Sequence, residues 1–259
     1  MEASRASVVS SFMIIKGALI EEAFAVFRDW DFTLSLDDNL TSMKTMNAIG
    51  AKSSNWLRDV AFVLRRRFDP EGRDRNLVEL AQRGCPLHLW KPVLLWHMTR
   101  DEFLFRDFLI HWLYEHFTQG TLRVRAQDLW PYLRELHDKG LVPEPWKEST
   151  LKRVSSELLR MAVDFGLLRG TVTREFASYH LPDESFLYLL HAMIEQQPNA
   201  HEVVHSSDWR MFMMGANDVE RELLRLHQFR RVHYEVAGSL AQLGLPCASA
   251  ADYARGMAA

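Results

Sequence analysis

The sequence predicts a mainly α protein: helix-turn-helix and winged-helix-like units joined by a central helical layer, with a few short β strands. Three observations predict it. Apolar residues recur at helical spacing through most of the chain. Helical segments twice follow one another across short, punctuated joints. The second such series runs directly into a stretch that alternates about a glycine, as two short strands do. With 259 residues, 47% hydrophobic and 25% charged, the chain can bury a core in one large or two small domains. The expected division is an N-terminal helix-turn-helix-like domain (1–84), an aromatic connector (85–120), a winged-helix-like domain (121–200) and a C-terminal segment (201–259) that packs back on the body.

Taken in order, GALIEEAFAVFRDW (17–30), LDDNLTSMKTMNAIG (36–50) and KSSNWLRDVAFVLRRRF (52–68) are three consecutive helices, with Gly50 at the last joint. A charged, glycine-containing loop, DPEGRDRN (69–76), precedes a block from Leu87 to Phe117 that is apolar nearly all round and therefore reads as a buried helical layer. TLRVRAQDLWPYLRELHDKGL (121–141) and STLKRVSSELLRMAVDF (149–165) are helical, separated by the loop VPEPWKE. GLLRGTVTREFASYHL then predicts a hairpin about Gly170. Helices near 183–197 and 218–229, a strand-like VHYEV (232–236) and a short helix near 249–257 complete the chain.

Two helices carry the functional signal. On a helical wheel of 52–68, Trp56, Leu57, Val60, Ala61, Val63, Leu64 and Phe68 gather on one side; Asn55, Arg58, Phe62, Arg65 and Arg66 gather on the other. Lys52, Ser53, Ser54 and Asn55 fill the first turn, where free N–H groups can take a phosphate or side chains can reach a base edge. The structural alternative is that a serine caps the helix and the arginines complement its dipole. In 149–165 the apolar set is Leu151, Val154, Leu158, Met161, Ala162 and Phe165, and the opposite side carries Ser149, Lys152, Arg153, Ser156 and Arg160. Arg169 and Arg174 flank the Gly170 turn, as residues do that lay a wing along a phosphate backbone or into a minor groove. Asn55 and Arg58 are the candidates for base readout; the other cations suit phosphates.

A net charge of −3 and a pI near 6.4 exclude a uniformly basic coat, so nucleic-acid binding has to come from local patches. Cys85 and Cys247 fit no metal spacing and suggest a disulfide-free, cytoplasmic protein. No run of 18 apolar residues predicts a membrane span, and the N-terminal run reads as neither leader nor anchor.

A search for catalytic chemistry finds none. HWLYEH (111–116) has one residue too many for an inverted zincin, and His111 and His116 stand about 140° apart on a helix. His88 and His97 could add ligands only by folding back. No phosphate-binding loop or nucleophile elbow is present, and Glu21–Glu22 and Asp37–Asp38 are adjacent pairs that suit a solvated first turn. No catalytic residue, metal or cofactor is expected. Trp90, Trp96, Trp112 and Trp130 could stack unpaired bases, and Met211, Met213 and Met214 around Phe212 could form a soft partner surface; core packing is the favoured reading of both.

The segments SSFMIIKGALIEEAFAVFRDW, KSSNWLRDVAFVLRRRF, STLKRVSSELLRMAVDFGLL and SSDWRMFMMGANDVERELLRL, followed by VHYEV, together resemble the BrxA family of BREX (bacteriophage exclusion) phage-defence systems, from about residue 10 to 255. The chain departs from the family pattern in its longer aromatic block and modest basic balance. The resemblance implies a small, mostly helical protein with winged-helix-like parts that binds double-stranded DNA without catalytic activity, among other BREX proteins. The expected function is therefore duplex binding through phosphate contacts from the two basic helices. Its rivals are a protein-interaction scaffold within the defence complex and RNA binding. The sequence leaves the oligomeric state open; a two-fold dimer would place half-sites about one helical turn apart.

Overall fold

In the computed structural model, which describes residues 9–237 and 240–257, the chain is mainly α-helical with a few short antiparallel strands. The first eight residues, where the N-terminal run begins, lie outside the described part. Serine side chains begin three of the first four helices. α1 (Ser11–Ile15) starts where the Ser10 hydroxyl accepts from the Met13 amide at 3.4 Å, α3 (Leu36–Met46) where Ser35 accepts from Asp38, and α4 (Ser54–Arg67) where Ser53 accepts from Trp56. α2 (Ile20–Arg28) has no side-chain cap; it follows Leu19, which holds a left-handed φ of 53°. The α2–α3 connection is pinned by buried Asn39, whose amide donates to the carbonyls of Asp31, Leu34 and Ser35 and accepts from the Asp31 amide.

The three helices expected before residue 68 are present, and α1 is an addition to them. So is α5 (Arg75–Gln82), which follows the charged loop and buries Leu77, Val78, Leu80 and Ala81. α6 (Leu87–Met98) is enclosed along its last nine residues except Lys91. α7 (Phe103–Asp107), a π-helical turn (Phe108–Leu113) and α8 (Tyr114–Thr118) make the second half of the aromatic layer.

The segment from 121 onward opens with β1 (Arg123–Val124) and a 3-10 turn (Ala126–Leu129), and only then becomes α9 (Trp130–Asp138). Helix was expected from 121. α10 (Glu148–Asp164) leads into β2 (Leu168–Arg169) and β3 (Arg174–Phe176), the hairpin anticipated about Gly170. Glycine is required there: φ is 101°, and a Cβ would sit 2.5 Å from the Thr173 carbonyl oxygen. The sheet order is β1-β3-β2, antiparallel throughout.

α11 (Asp183–Gln196) is buried from Ser185 to Met193. α12 (Ala200–Val204), a 3-10 turn (Ser207–Phe212) and α13 (Ala216–Gln228) follow, then a ribbon of β4 (His233–Ala237) and β5 (Leu240–Gly244), and finally α14 (Ala250–Met257). The buried apolar side chains form one cluster, joined by contacts of α1 with α10, α2 with α5, α6 with α11, and α14 with both α5 and α11.

Trp90, Trp96 and Trp112 belong to this core, and Trp130 packs against it half-buried. The indole N–H of Trp90 donates to the Leu77 carbonyl, and that of Trp96 to the Asp208 carboxylate. Met211, Phe212 and Met213 are buried as well, so the methionine-rich stretch fills the interior.

Candidate nucleic-acid interface

α4 splits as its periodicity dictates. Val60, Ala61, Val63, Leu64 and Phe68 are buried, Trp56 and Leu57 half-buried, while Lys52, Ser53, Ser54, Asn55, Arg58, Phe62, Arg65 and Arg66 are exposed. Several of its polar groups, however, already have internal partners. Ser53 caps the helix. The Arg58 guanidinium donates to the Asn55 side-chain oxygen, and Arg65 pairs with Asp37 of α3. Asp59 on the same helix takes Lys16 at 2.5 Å. Lys52 and Arg66 make no ion pair among the described residues.

The last arginine of the run behaves unlike its neighbours. Arg67 is 0% exposed; its Nε donates to Glu102 Oε1 at 3.0 Å, and its Nη atoms donate to the carbonyls of Gly17 at 2.7 Å and Met13 at 3.0 Å. It thereby fastens the α1–α2 junction to the start of α7. Sequence reasoning gave Arg67 no role, because an arginine at a helix C-terminus ordinarily faces water.

On α10 the six predicted apolar residues are all buried, joined by Ser155 and Leu159. Ser149, Lys152, Arg153 and Arg160 are exposed and Ser156 is half-buried. Lys152 and Arg153 make no ion pair among the described residues. Arg160 is committed to Glu157, one turn back, in the region where α1 meets α10. A polar pocket of about 330 Å³ opens there, lined by Lys16, Lys91, Arg160, Glu21, Glu22 and Asp164 among others. The cations in it are matched by carboxylates.

At the hairpin, Arg169 is exposed as expected but Arg174 is not. Arg174 stands opposite Val124 on the inner side of the sheet, is 8% exposed, and donates from Nη2 to the Ser156 carbonyl at 3.4 Å. Burial lowers its pKa, against the pull of Glu157 and Asp164. The expectation that it lies on the outside of the wing is therefore corrected: strand register sends it inward, beneath the sheet. Two arginines that sequence reasoning passed over, Arg123 and Arg125, are exposed instead. Their signal was the R-V-R alternation around buried Val124, hidden inside a segment read as helix.

Buried polar groups elsewhere form a relay of Asp74, His97 and Tyr188. Asp74 Oδ1 lies 2.7 Å from His97 Nδ1, and His97 Nε2 lies 2.9 Å from the Tyr188 hydroxyl. All three are sealed from solvent, so the relay ties the start of α5 to α6 and α11. His111 and His116 go separate ways: His111 lies near Asp107, whereas His116 bonds the Trp112 carbonyl and stacks on its indole. Among the described residues no group of three or more His, Cys, Asp or Glu is placed to hold a metal ion, and no helix is long and apolar enough to cross a membrane.

No curated protein matches the chain. A family model does, over residues 10–192, which includes α4, α10 and the hairpin; the resemblance read from the sequence extends further, to about residue 255. The model is that of BrxA, and the chain belongs to the BrxA family, components of BREX phage-defence systems.

Proposed function

We propose that this chain is a non-enzymatic, cytoplasmic protein that binds double-stranded DNA within its BREX system, and that the principal contact is made by α10 and the hairpin after it. The observation that carries the reading is the pair Lys152 and Arg153: exposed, without an ion-pair partner among the described residues, and on the first half of a helix whose inner face is fully packed. The setting supports it. The order of helix α8, strand β1, helices α9 and α10 and a two-stranded hairpin, with sheet order β1-β3-β2, supports a winged-helix reading, in which the helix preceding the hairpin is the one offered to a groove. Phosphate contact by cations of this kind is independent of sequence and sensitive to salt.

Fluorescence anisotropy of a labelled duplex, titrated across a salt series, tests the reading. Binding should weaken steeply with salt, and Lys152→Ala/Arg153→Ala should lower the log–log slope by about two units, roughly 0.9 per lost phosphate contact. No binding at low salt sinks the proposal. Tighter binding to a structured RNA than to a DNA duplex of equal length favours the RNA alternative.

A second reading attaches to α4. Phe62 is half exposed and packs edge-on against exposed Phe12 at 5.6 Å, beside cations already paired. Exposed aromatics next to neutralised charge suit a protein partner better than a phosphate backbone. This is the scaffold alternative confined to the surface where α1 meets α4. A complex with another BREX protein that survives Lys152→Ala/Arg153→Ala and is lost in Phe12→Ser/Phe62→Ser would establish it.

A further inference from the structure

The outer side of the small sheet carries a cluster that α10 does not use. Side chains alternate along strands, so Val124, Leu168 and Arg174 turn inward toward α10 while Arg123, Arg169 and Glu175 turn outward. Register makes the outward three neighbours, since Arg123 and Arg169 both stand opposite Glu175. Arg123 Nε donates to Glu175 Oε1 at 3.0 Å, and Arg169 Nη2 donates to Oε2 at 3.2 Å. Arg125 donates from Nε to Thr173 Oγ1 at 3.1 Å, which holds it against the hairpin turn. Two guanidinium groups thus engage the two oxygens of one carboxylate, with a third guanidinium nearby. That is the geometry in which arginines also take the two free oxygens of a phosphodiester.

We propose that this face is a second backbone-phosphate site for duplex DNA, and that Glu175 occupies it as an internal surrogate until a phosphate displaces it. The inference rests on the DNA-binding reading and deepens it. In the free protein, Glu175 holds both guanidinium forks in place, which reduces the ordering cost of binding. The hydrogen bonds from Arg123 and then Arg169 keep its carboxyl below the usual range, so it stays ionised and engaged. Displacement is cheap, because the Arg123 and Arg169 side chains are 69% and 73% exposed and such ion pairs are weak in water. On binding, the phosphate accepts from both arginines and Glu175 turns to solvent.

Glu175→Gln preserves the shape and removes the charge. In the same duplex titration it should tighten binding about two- to fivefold at low salt, the loss of one exposed ion pair read as affinity. Arg123→Ala/Arg169→Ala should weaken binding and lower the salt slope by about one unit, since both arginines grip one phosphate. In that arginine-free background, Glu175→Gln should no longer change affinity. Equal tightening with and without the arginines marks a general charge effect and overturns the proposal. Unchanged or weakened binding by Glu175→Gln, with the native protein binding normally, overturns this site while leaving the α10 reading intact. Failure of the native protein to bind duplex at any salt overturns both, and a response seen with duplex RNA but not DNA overturns the choice of ligand.

Discussion

Helices α4 and α10 share one sequence pattern, an apolar inner side and an outer side of hydroxyls and cations, yet the fold commits their charges differently. On α4, Arg65 answers Asp37, Arg58 leans on Asn55, the preceding segment sends Lys16 to Asp59, and Arg67 disappears into the core. On α10, Arg160 alone is spent on a neighbour, and Lys152 and Arg153 keep their charge for a ligand. An exposed ion pair contributes little to stability but reduces the field that a phosphate meets. Each helix keeps two of its predicted cations exposed and without a side-chain partner among the described residues. Lys52 and Arg66 stand at opposite ends of α4, whereas Lys152 and Arg153 are adjacent on the first half of α10, so placement separates the two helices where the number of free cations does not.

The largest expected effect lies inside α4. Arg67→Met leaves Glu102 buried without its partner and several carbonyls without a donor, which should cost about 3–5 kcal/mol of stability. Adjacent Arg66→Ala should stay within about 0.5 kcal/mol. Urea denaturation of both variants measures the contrast; equal midpoints would contradict the division of labour along the arginine run.

His97→Gln comes next. Breaking the relay should cost about 1–3 kcal/mol, and the pH dependence gives it a sign. Burial holds the His97 imidazole below its ordinary range, against the pull of Asp74. The unfolded imidazole takes up a proton as pH falls through about 6.5, while the folded one resists. Its contribution is therefore whole above about pH 6.5 and is lost as pH falls below that value. Burial pushes Asp74 up, but the hydrogen bond and charge of His97, the Asp69 amide and Arg73 outweigh it, and the carboxyl ends below its ordinary range. Asp74 thus adds acid sensitivity only at much lower pH. Native Tm should fall between pH 7 and 5 more steeply than that of His97→Gln; parallel declines would show that the relay does not set the slope.

The smallest effect sharpens the comparison. Arg58→Ala/Arg65→Ala, which removes two cations already engaged, should reduce duplex affinity by less than about twofold, against an order of magnitude or more for Lys152→Ala/Arg153→Ala at low salt. Reversed rankings in the same titration would move the interface to α4.

Much of this was legible in the sequence, for physical reasons. The 3.6-residue period placed the named apolar residues of α4 and α10 on the inner side, because a helix has one inner face and periodicity selects it, although it passed over buried Leu159. Gly170 announced its turn, since few other residues hold that φ. The hairpin's arginines were harder. A strand's two sides are told apart by its partner, and β1 is two residues long within a segment of helical composition, so the R-V-R alternation that sets Arg123 and Arg125 outward was masked and nothing local showed that Arg174 faces inward. Arg67 was illegible for a related reason: its acceptors lie 35 or more positions away in sequence. α5 was missed differently, because Leu77, Val78, Leu80 and Ala81 are too short an apolar set to stand out after a charged loop.

The most direct test of the central claim is amide hydrogen exchange of the native protein with and without a saturating DNA duplex. Protection gained in 147–156 and at the 169–173 turn, with 54–62 unchanged, is the result predicted. Protection gained across 54–62 and none in 147–156 would contradict it and make α4 the helix that meets the DNA.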